Sequence, residues 1–252
     1  MRLAVITDIH GNAAALDAML EDAASRGLRD IICLGDIASG AGWPRETVEM
    51  LQATGIPCVR GNHDRWISEH DPETMGKQDR LAYDELSADQ RRWLLDLPQA
   101  LEPAPGVLAV HGSPGQDVQN LIEEIVAERL RRAPMAVLRE RLGEAGMAAR
   151  VVLCGHSHRT GLVQVPGGPL VLNPGSLGLP GFRISREPAH RQEAGSPHAR
   201  YAVLHLDGTA PPQVEMLAIA YDWEAAAKRA EDVGFNAAWP HVLRTGLLPE
   251  SA

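Results

Sequence analysis

Nine side chains of the types that bind divalent metal sit in five short motifs, most of them next to glycine: Asp8-Ile9-His10, Gly35-Asp36, Gly61-Asn62-His63-Asp64, His111-Gly112 and Gly155-His156-Ser157-His158. Asn offers a metal a neutral oxygen, His a ring nitrogen or a proton, and Asp a charged oxygen or a partner that orients an imidazole. Residues two apart in extended chain point to the same side, so Asp8 and His10 can reach one ion, and His156 and His158 repeat that spacing. Isolated buried charges are costly unless paired or bound to metal. A mixed nitrogen and oxygen donor set suits Mn, Fe, Zn, Ni or Co better than Ca or Mg.

The elements that must position these residues are apolar runs ending just before them. Residues 2–7, 31–34, 56–59, 106–110 and 151–154 read as buried strands, rich in Val, Ile, Leu and Ala. Between the first three lie helical patterns. One carries Leu16, Met19, Leu20 and Ala23, with Gly27 as its stop; the other opens at Pro44, buries Val48 and Leu51, and ends at Gly55. The order β-α-β-α-β predicts parallel pairing with right-handed crossovers. The polar residues then gather at the carboxyl edge of the sheet, where open α/β sheets carry their sites. Asn12, just after His10, has two readings at this stage, a helix cap or a group orienting a ligand.

Further along, helices are expected over 79–86 and 88–97, and two amphipathic helices over 115–146 divided near Pro134. The latter carry Arg129, Arg131, Arg132, Arg139 and Arg141. These arginines have two readings: a solvated face balanced by Glu123, Glu124, Glu128, Glu140 and Glu144, or a lid over an anionic substrate. Strands are expected at 162–165 and 170–172, a mobile loop over 182–200, an antiparallel pair from Tyr201–Leu206 and Gln213–Ala220, and helices at 222–232 and 236–245. The remaining histidines, His70, His190, His198, His205 and His241, are scattered and read as surface or filler residues. No repeat or linker divides residues 1–252, so one domain is expected.

Composition limits the partners. The net charge of −9 argues against a general nucleic-acid binder while leaving a nucleotide substrate open, because bound metal reverses the local field. No apolar run approaches a membrane span, and Asp8 comes too early for a signal peptide, so a cytoplasmic enzyme is the default. Cys33, Cys58 and Cys154 each lie within an apolar run and read as buried hydrophobes rather than disulfide partners. Nothing in the sequence names an oligomeric state.

The five motifs, in this order, resemble the signature of the calcineurin-like metallophosphoesterases. Asn173-Pro174-Gly175-Ser176 shortly afterwards is similar to the small bacterial and archaeal phosphodiesterase branch. The resemblance covers roughly residues 3–180. One departure is Pro180-Gly181-Phe182-Arg183, since many relatives carry Arg directly after that Pro; a phosphate-contacting role for Arg183 does not carry over.

The resemblance implies an α/β fold, a four-layer α-β-β-α sandwich with mixed sheets and a dimetal site at the carboxyl ends of the strands. It assigns Asp8, His10, Asp36 and His158 to a first divalent transition-metal ion and Asp36, Asn62, His111 and His156 to a second, Mn being the first candidate. A hydroxide between the ions would attack phosphorus in line. His63 would serve the leaving group as general acid, with Asp64 holding its tautomer. The implied activity is hydrolysis of small organic phosphate mono- or diesters, nucleotides among them. Dinucleoside polyphosphate hydrolysis is the alternative enzyme reading. A non-enzymatic scaffold of the same fold is a third reading, and one that would not need His63.

Overall fold

The computed structural model describes residues 1–250. The chain begins with β1 (Arg2–Ile6), α1 (Ala13–Ser25), β2 (Asp30–Cys33) and α2 (Pro44–Thr54). Three short helices follow, α3 (Asn62–Glu69), α4 (Lys77–Glu85) and α5 (Ala88–Asp96), then β3 (Ala100–Ala104) and β4 (Val107–Val110). Next come β5 (Glu123–Val126), β6 (Arg129–Arg132), α6 (Met135–Ala148), β7 (Val151–Leu153), β8 (Gly161–Gln164) and β9 (Leu170–Asn173). The last third holds β10 (Gly181–Ile184), β11 (His190–Glu193), β12 (Ala199–His205), β13 (Gln213–Ile219), α7 (Trp223–Asp232) and α8 (Ala238–Thr245).

Two mixed sheets face each other, one in the order β13-β12-β1-β2 and the other in the order β3-β4-β7-β9-β8. The alternation of side chains along β1 shows the layering directly. Leu3 and Val5 point into a cluster between the sheets with Val107, Ala109, Val151 and Leu153. Ala4 and Ile6 point the other way, into a cluster with Leu16 and Met19 of α1, Val48 and Leu51 of α2, and Ala226 and Ala227 of α7. On the far face of the second sheet, Val110, Val152 and Val171 pack against Leu138 and Leu142 of α6. The result is the expected α-β-β-α order of layers, with β1, β4 and β7 buried on both faces, which explains their near-continuous apolar runs.

Several elements differ from expectation. The run Ile56–Val59 is not a strand; it makes a single parallel bridge from Cys58 to Cys33 before the chain turns into α3. The segment 115–134 is not helical. It holds the hairpin β5–β6, and of the two expected helices only α6 forms. Residues 182–200, expected as a mobile loop, hold most of the hairpin β10–β11 and the start of β12; β11 pairs with β6 to give a third sheet in the order β10-β11-β6-β5. This small sheet lies over the region where β7 delivers His158. No helix among the described residues is long and apolar enough to cross a membrane.

Candidate metal centre

The ligand-type residues lie just beyond strand ends, where the backbone must turn sharply. Asp8, His10, Asp36, His156 and His158 all adopt left-handed backbone, with φ of 53°, 51°, 53°, 65° and 54°. Non-glycine residues seldom do so, and each such residue costs on the order of 1–3 kcal/mol. Five of them in two adjoining clusters mark a place where geometry is held against local preference. The surrounding hydrogen bonds show how. The Asp8 and His10 amides donate to the carbonyls of Gly35 and Asp36 (both 3.0 Å), and Ser176 Oγ donates to the Asp8 carbonyl at 2.7 Å. Asn173 Nδ2 donates to the Gly155 carbonyl at 2.7 Å, so the Asn173–Ser176 motif ties the first and last loops together.

Two buried clusters result. Asp8, His10 and His158 bring their ligand atoms within 4.8 Å of one another, and so do Asp36, His111 and His156. Asp36 lies between them, its Oδ2 3.3 Å from His111 Nε2 and 3.9 Å from His10 Nε2. Asn62 Oδ1 is 3.2 Å from His111 Nε2, which adds a neutral oxygen to the second cluster.

The donor set fits divalent transition metal. Nδ1 of His10, His111 and His158 meets the backbone carbonyls of Ser39 (2.5 Å), Leu34 (2.7 Å) and Leu179 (2.9 Å). Each ring therefore directs Nδ1–H outward and turns Nε2 inward, the arrangement that fixes metal-binding imidazoles. Nε2 of His10 and His158 stand 3.0 Å apart, both turned into the same space beside Asp8 and Asp36. Asp8 Oδ1 is buried without a hydrogen-bond partner among the described residues. Such groups are costly unless a cation completes them.

The electrostatics agree. Burial pulls the His10 and His156 imidazoles down to about 4, helped by the neighbouring histidines His158 and His111 respectively, so both are neutral and ready to ligate. Burial works against ionisation of Asp36 too, but His111, His63 and His10 hold its carboxyl well below the usual range. His111 goes the other way: burial lowers it, and the Asp36 carboxylate outweighs burial and pushes it up to about 10. A metal at this cluster would displace that proton.

His63 belongs to neither cluster, and its partner is not the expected one. Asp64 accepts the backbone N–H groups of Asp36, Ile37 and Gly61, each at 2.9 Å. Consecutive residues of a helix diverge by about 100°, so within α3 the side chains of His63 and Asp64 leave in different directions. The imidazole instead meets Asp79 of α4, Nδ1 to Oδ1 at 2.6 Å, and Ser39 Oγ donates to the same oxygen at 2.6 Å. Burial lowers the imidazole's pKa, yet the Asp36 carboxylate and then the Asp79 hydrogen bond raise it to about 9. Sequence reasoning missed Asp79, sixteen residues from His63, because an acid in the first turn of a helix is ordinary. Asn12 resolves to the cap reading: its Oδ1 accepts Ala15 N–H at 3.1 Å and its Nδ2 donates to the Gly178 carbonyl at 2.9 Å.

The arginines of 129–141 separate residue by residue. Arg139 and Arg141 donate to backbone carbonyls, Arg139 to Pro166 and Arg141 to Asn120 and Glu123. Arg129 and Arg131, on β6, line a cavity that also touches His158; Arg132 does not, and neither does Arg183.

The pattern that defines the calcineurin-like phosphoesterase superfamily domain matches residues 1–207. An uncharacterized protein of Methanocaldococcus jannaschii is 47% identical over 62 residues, which are 25% of this chain and 26% of that protein, so the match spans about a quarter of the relative's length. Among solved structures, a metallophosphoesterase from Sphaerobacter thermophilus superposes with a TM-score of 0.71 at 24% identity, covering 98% of this chain and 100% of that one. A hypothetical protein from Pyrococcus horikoshii OT3 gives 0.75 at 21% identity, covering 98% and 99%. At these identities the likeness is one of fold.

Proposed function

The chain belongs to the calcineurin-like phosphoesterase superfamily, and from that premise we propose that it hydrolyses small organic phosphate mono- or diesters at the paired clusters. The observation that carries this reading is the set of three imidazoles anchored through Nδ1, their Nε2 atoms turned toward Asp8 and Asp36, beside a His63 held by Asp79. Asp8, His10, His158 and Asp36 would hold one ion, and Asp36, Asn62, His111 and His156 the other, with Mn²⁺ as first candidate. When bound, such ions withdraw charge from phosphoryl oxygens and activate water at neutral pH.

The chain's own residues supply the rest. His63, protonated at neutral pH, gives the Nε2 proton to the departing ester oxygen, while Asp79 keeps Nδ1–H fixed and offsets the imidazolium charge. Ser39 holds Asp79 in place. A non-enzymatic scaffold would have no use for a proton donor positioned at this depth, which favours the enzymatic reading.

His63→Ala tests the assignment. General acid–base groups contribute ~10²–10⁴-fold, so kcat should fall on that order for an alkyl ester, with less loss for a nitrophenyl ester whose leaving group departs unprotonated. Metal content should stay as in the wild type. An empty metal position in His63→Ala would overturn the role.

A further inference from the structure

The third sheet does something the hydrolytic reading does not require. Strands β6 and β11 run side by side with Arg191 paired to Arg129, and the two strands, with the start of β12 and the residues after His158, enclose a cavity of about 580 Å³. That volume falls within the range of small-molecule sites. Five guanidinium groups line it, from Arg129, Arg131, Arg159, Arg191 and Arg200, against one carboxylate, Glu193. His158 lines it as well, so the cavity opens directly beside the first metal cluster.

Three of these arginines have structural employment. Arg129 pairs with Glu193 at 3.0 Å, Arg159 donates to the Leu130 carbonyl, and Arg200 donates to the carbonyls of Ala194, Ser196 and His198. Arg131 and Arg191 have none: among the described residues neither side chain forms a hydrogen bond or ion pair, and Arg191 Nε is buried without a partner. Gathering like charges and burying an N–H donor without an acceptor are both unfavourable in the free protein. A ligand bearing anionic oxygens relieves both, and guanidinium groups bind phosphoryl oxygens in pairs.

We propose that this cavity is a subsite for a second phosphoryl group, and that the substrate class is organic phosphates carrying at least two, the reacting one at the metal clusters and another on Arg131 and Arg191. The inference rests on the hydrolytic reading above and narrows it.

The test has a binding arm and a kinetic arm. In the first, chelator-treated chain is titrated calorimetrically with tripolyphosphate. Losing a charge-assisted contact weakens binding roughly ten- to a hundredfold, so Arg131→Gln and Arg191→Gln should each bind weaker by about that factor. Arg132→Gln, one residue along β6 on its opposite face, should bind as the wild type does. Arg131 is exposed, so its variant stays informative even if Arg191→Gln folds poorly. In the second arm, the reconstituted enzyme's kcat/KM for a dinucleoside tetraphosphate, divided by that for a nitrophenyl phosphodiester, should fall by the same factor in both cavity variants, mainly through KM. Equal tripolyphosphate affinity in all variants, an equal loss in Arg132→Gln, or an unchanged ratio would overturn the subsite. Arginine-dependent tripolyphosphate binding by a chain that hydrolyses neither substrate would sustain the subsite and overturn the hydrolytic reading instead.

Discussion

Nδ1 of His63 lies 2.6 Å from Oδ1 of Asp79, an acid on a different helix, while the neighbouring Asp64 spends its carboxylate on three backbone N–H groups. On the proposed reading His63 is the proton donor and Asp79 its positioning residue, while Asp64 clamps the Asp36 loop against α3. Asp79→Asn should lower kcat for an alkyl phosphate ester by about 10–100-fold, the usual effect of removing an orienting partner. The loss should shrink for a nitrophenyl ester, as for His63→Ala, with metal content retained. Equal losses on both esters would reduce Asp79 to a structural role.

Glu123 gives the stability a pH dependence. Its side chain is 3% exposed, and burial raises its pKa to about 7 against the lowering effect of Ser157, Arg159, Arg141 and Arg132. A carboxyl whose folded pKa lies above the unfolded value of 4.5 favours the fold fully below pH 4.5, and that contribution is lost as pH rises through about 7. At 1.36 kcal/mol per pH unit the loss is about 3 kcal/mol. In chelated protein, Glu123→Gln should therefore gain stability relative to the wild type by about 2–3 kcal/mol more at pH 8 than at pH 5, read from denaturant unfolding. The same difference at both pH values would contradict this account of Glu123.

Gly61 sits against the central carboxylate. A Cβ there would overlap Asp36 Oδ1, which accepts the His63 amide, and the Asp36 amide nitrogen, which donates to Asp64. Overpacking of this kind costs about 1–3 kcal/mol. Gly61→Ala should lower Tm and also weaken metal binding, because the displaced group is the Asp36 carboxylate, which lies between the two clusters. A fall in Tm with unchanged metal affinity would show that the loop absorbs the clash without moving Asp36.

What could be read from the sequence follows its local signals. Most of the ligand-type residues were legible because they follow an apolar run or stand beside glycine, His158 by its two-residue spacing from His156; buried strands such as β1 and β7 were legible as apolar runs, while the layer order was implied by the family resemblance. The hairpin β5–β6 was not legible. Its turn places Ala127 and Glu128 at φ of 49° and 58°, positions usually marked by Asn or Gly, so nothing in Val126–Arg129 announced a reversal. Its Glu, Arg and Leu residues fit a helix equally well. Strand β11 was hidden for a related reason: His190–Glu193 is polar throughout and is held by pairing with β6 and β10 rather than by its own propensity. The cavity arginines depend on that pairing, so no sequence spacing could assemble them, and the same holds for Asp79 and His63.

The central claim is that the two clusters hold metal and that hydrolysis depends on it. The most direct measurement is elemental analysis and phosphodiester hydrolysis on the same samples, chelator-stripped and then titrated with Mn²⁺, for the wild type and Asp36→Asn. The account predicts no hydrolysis in stripped protein, activity that returns as content approaches two ions per chain, and loss of both metal retention and activity in Asp36→Asn, since that carboxylate lies between the clusters. Full hydrolysis by protein with no detectable metal would contradict it.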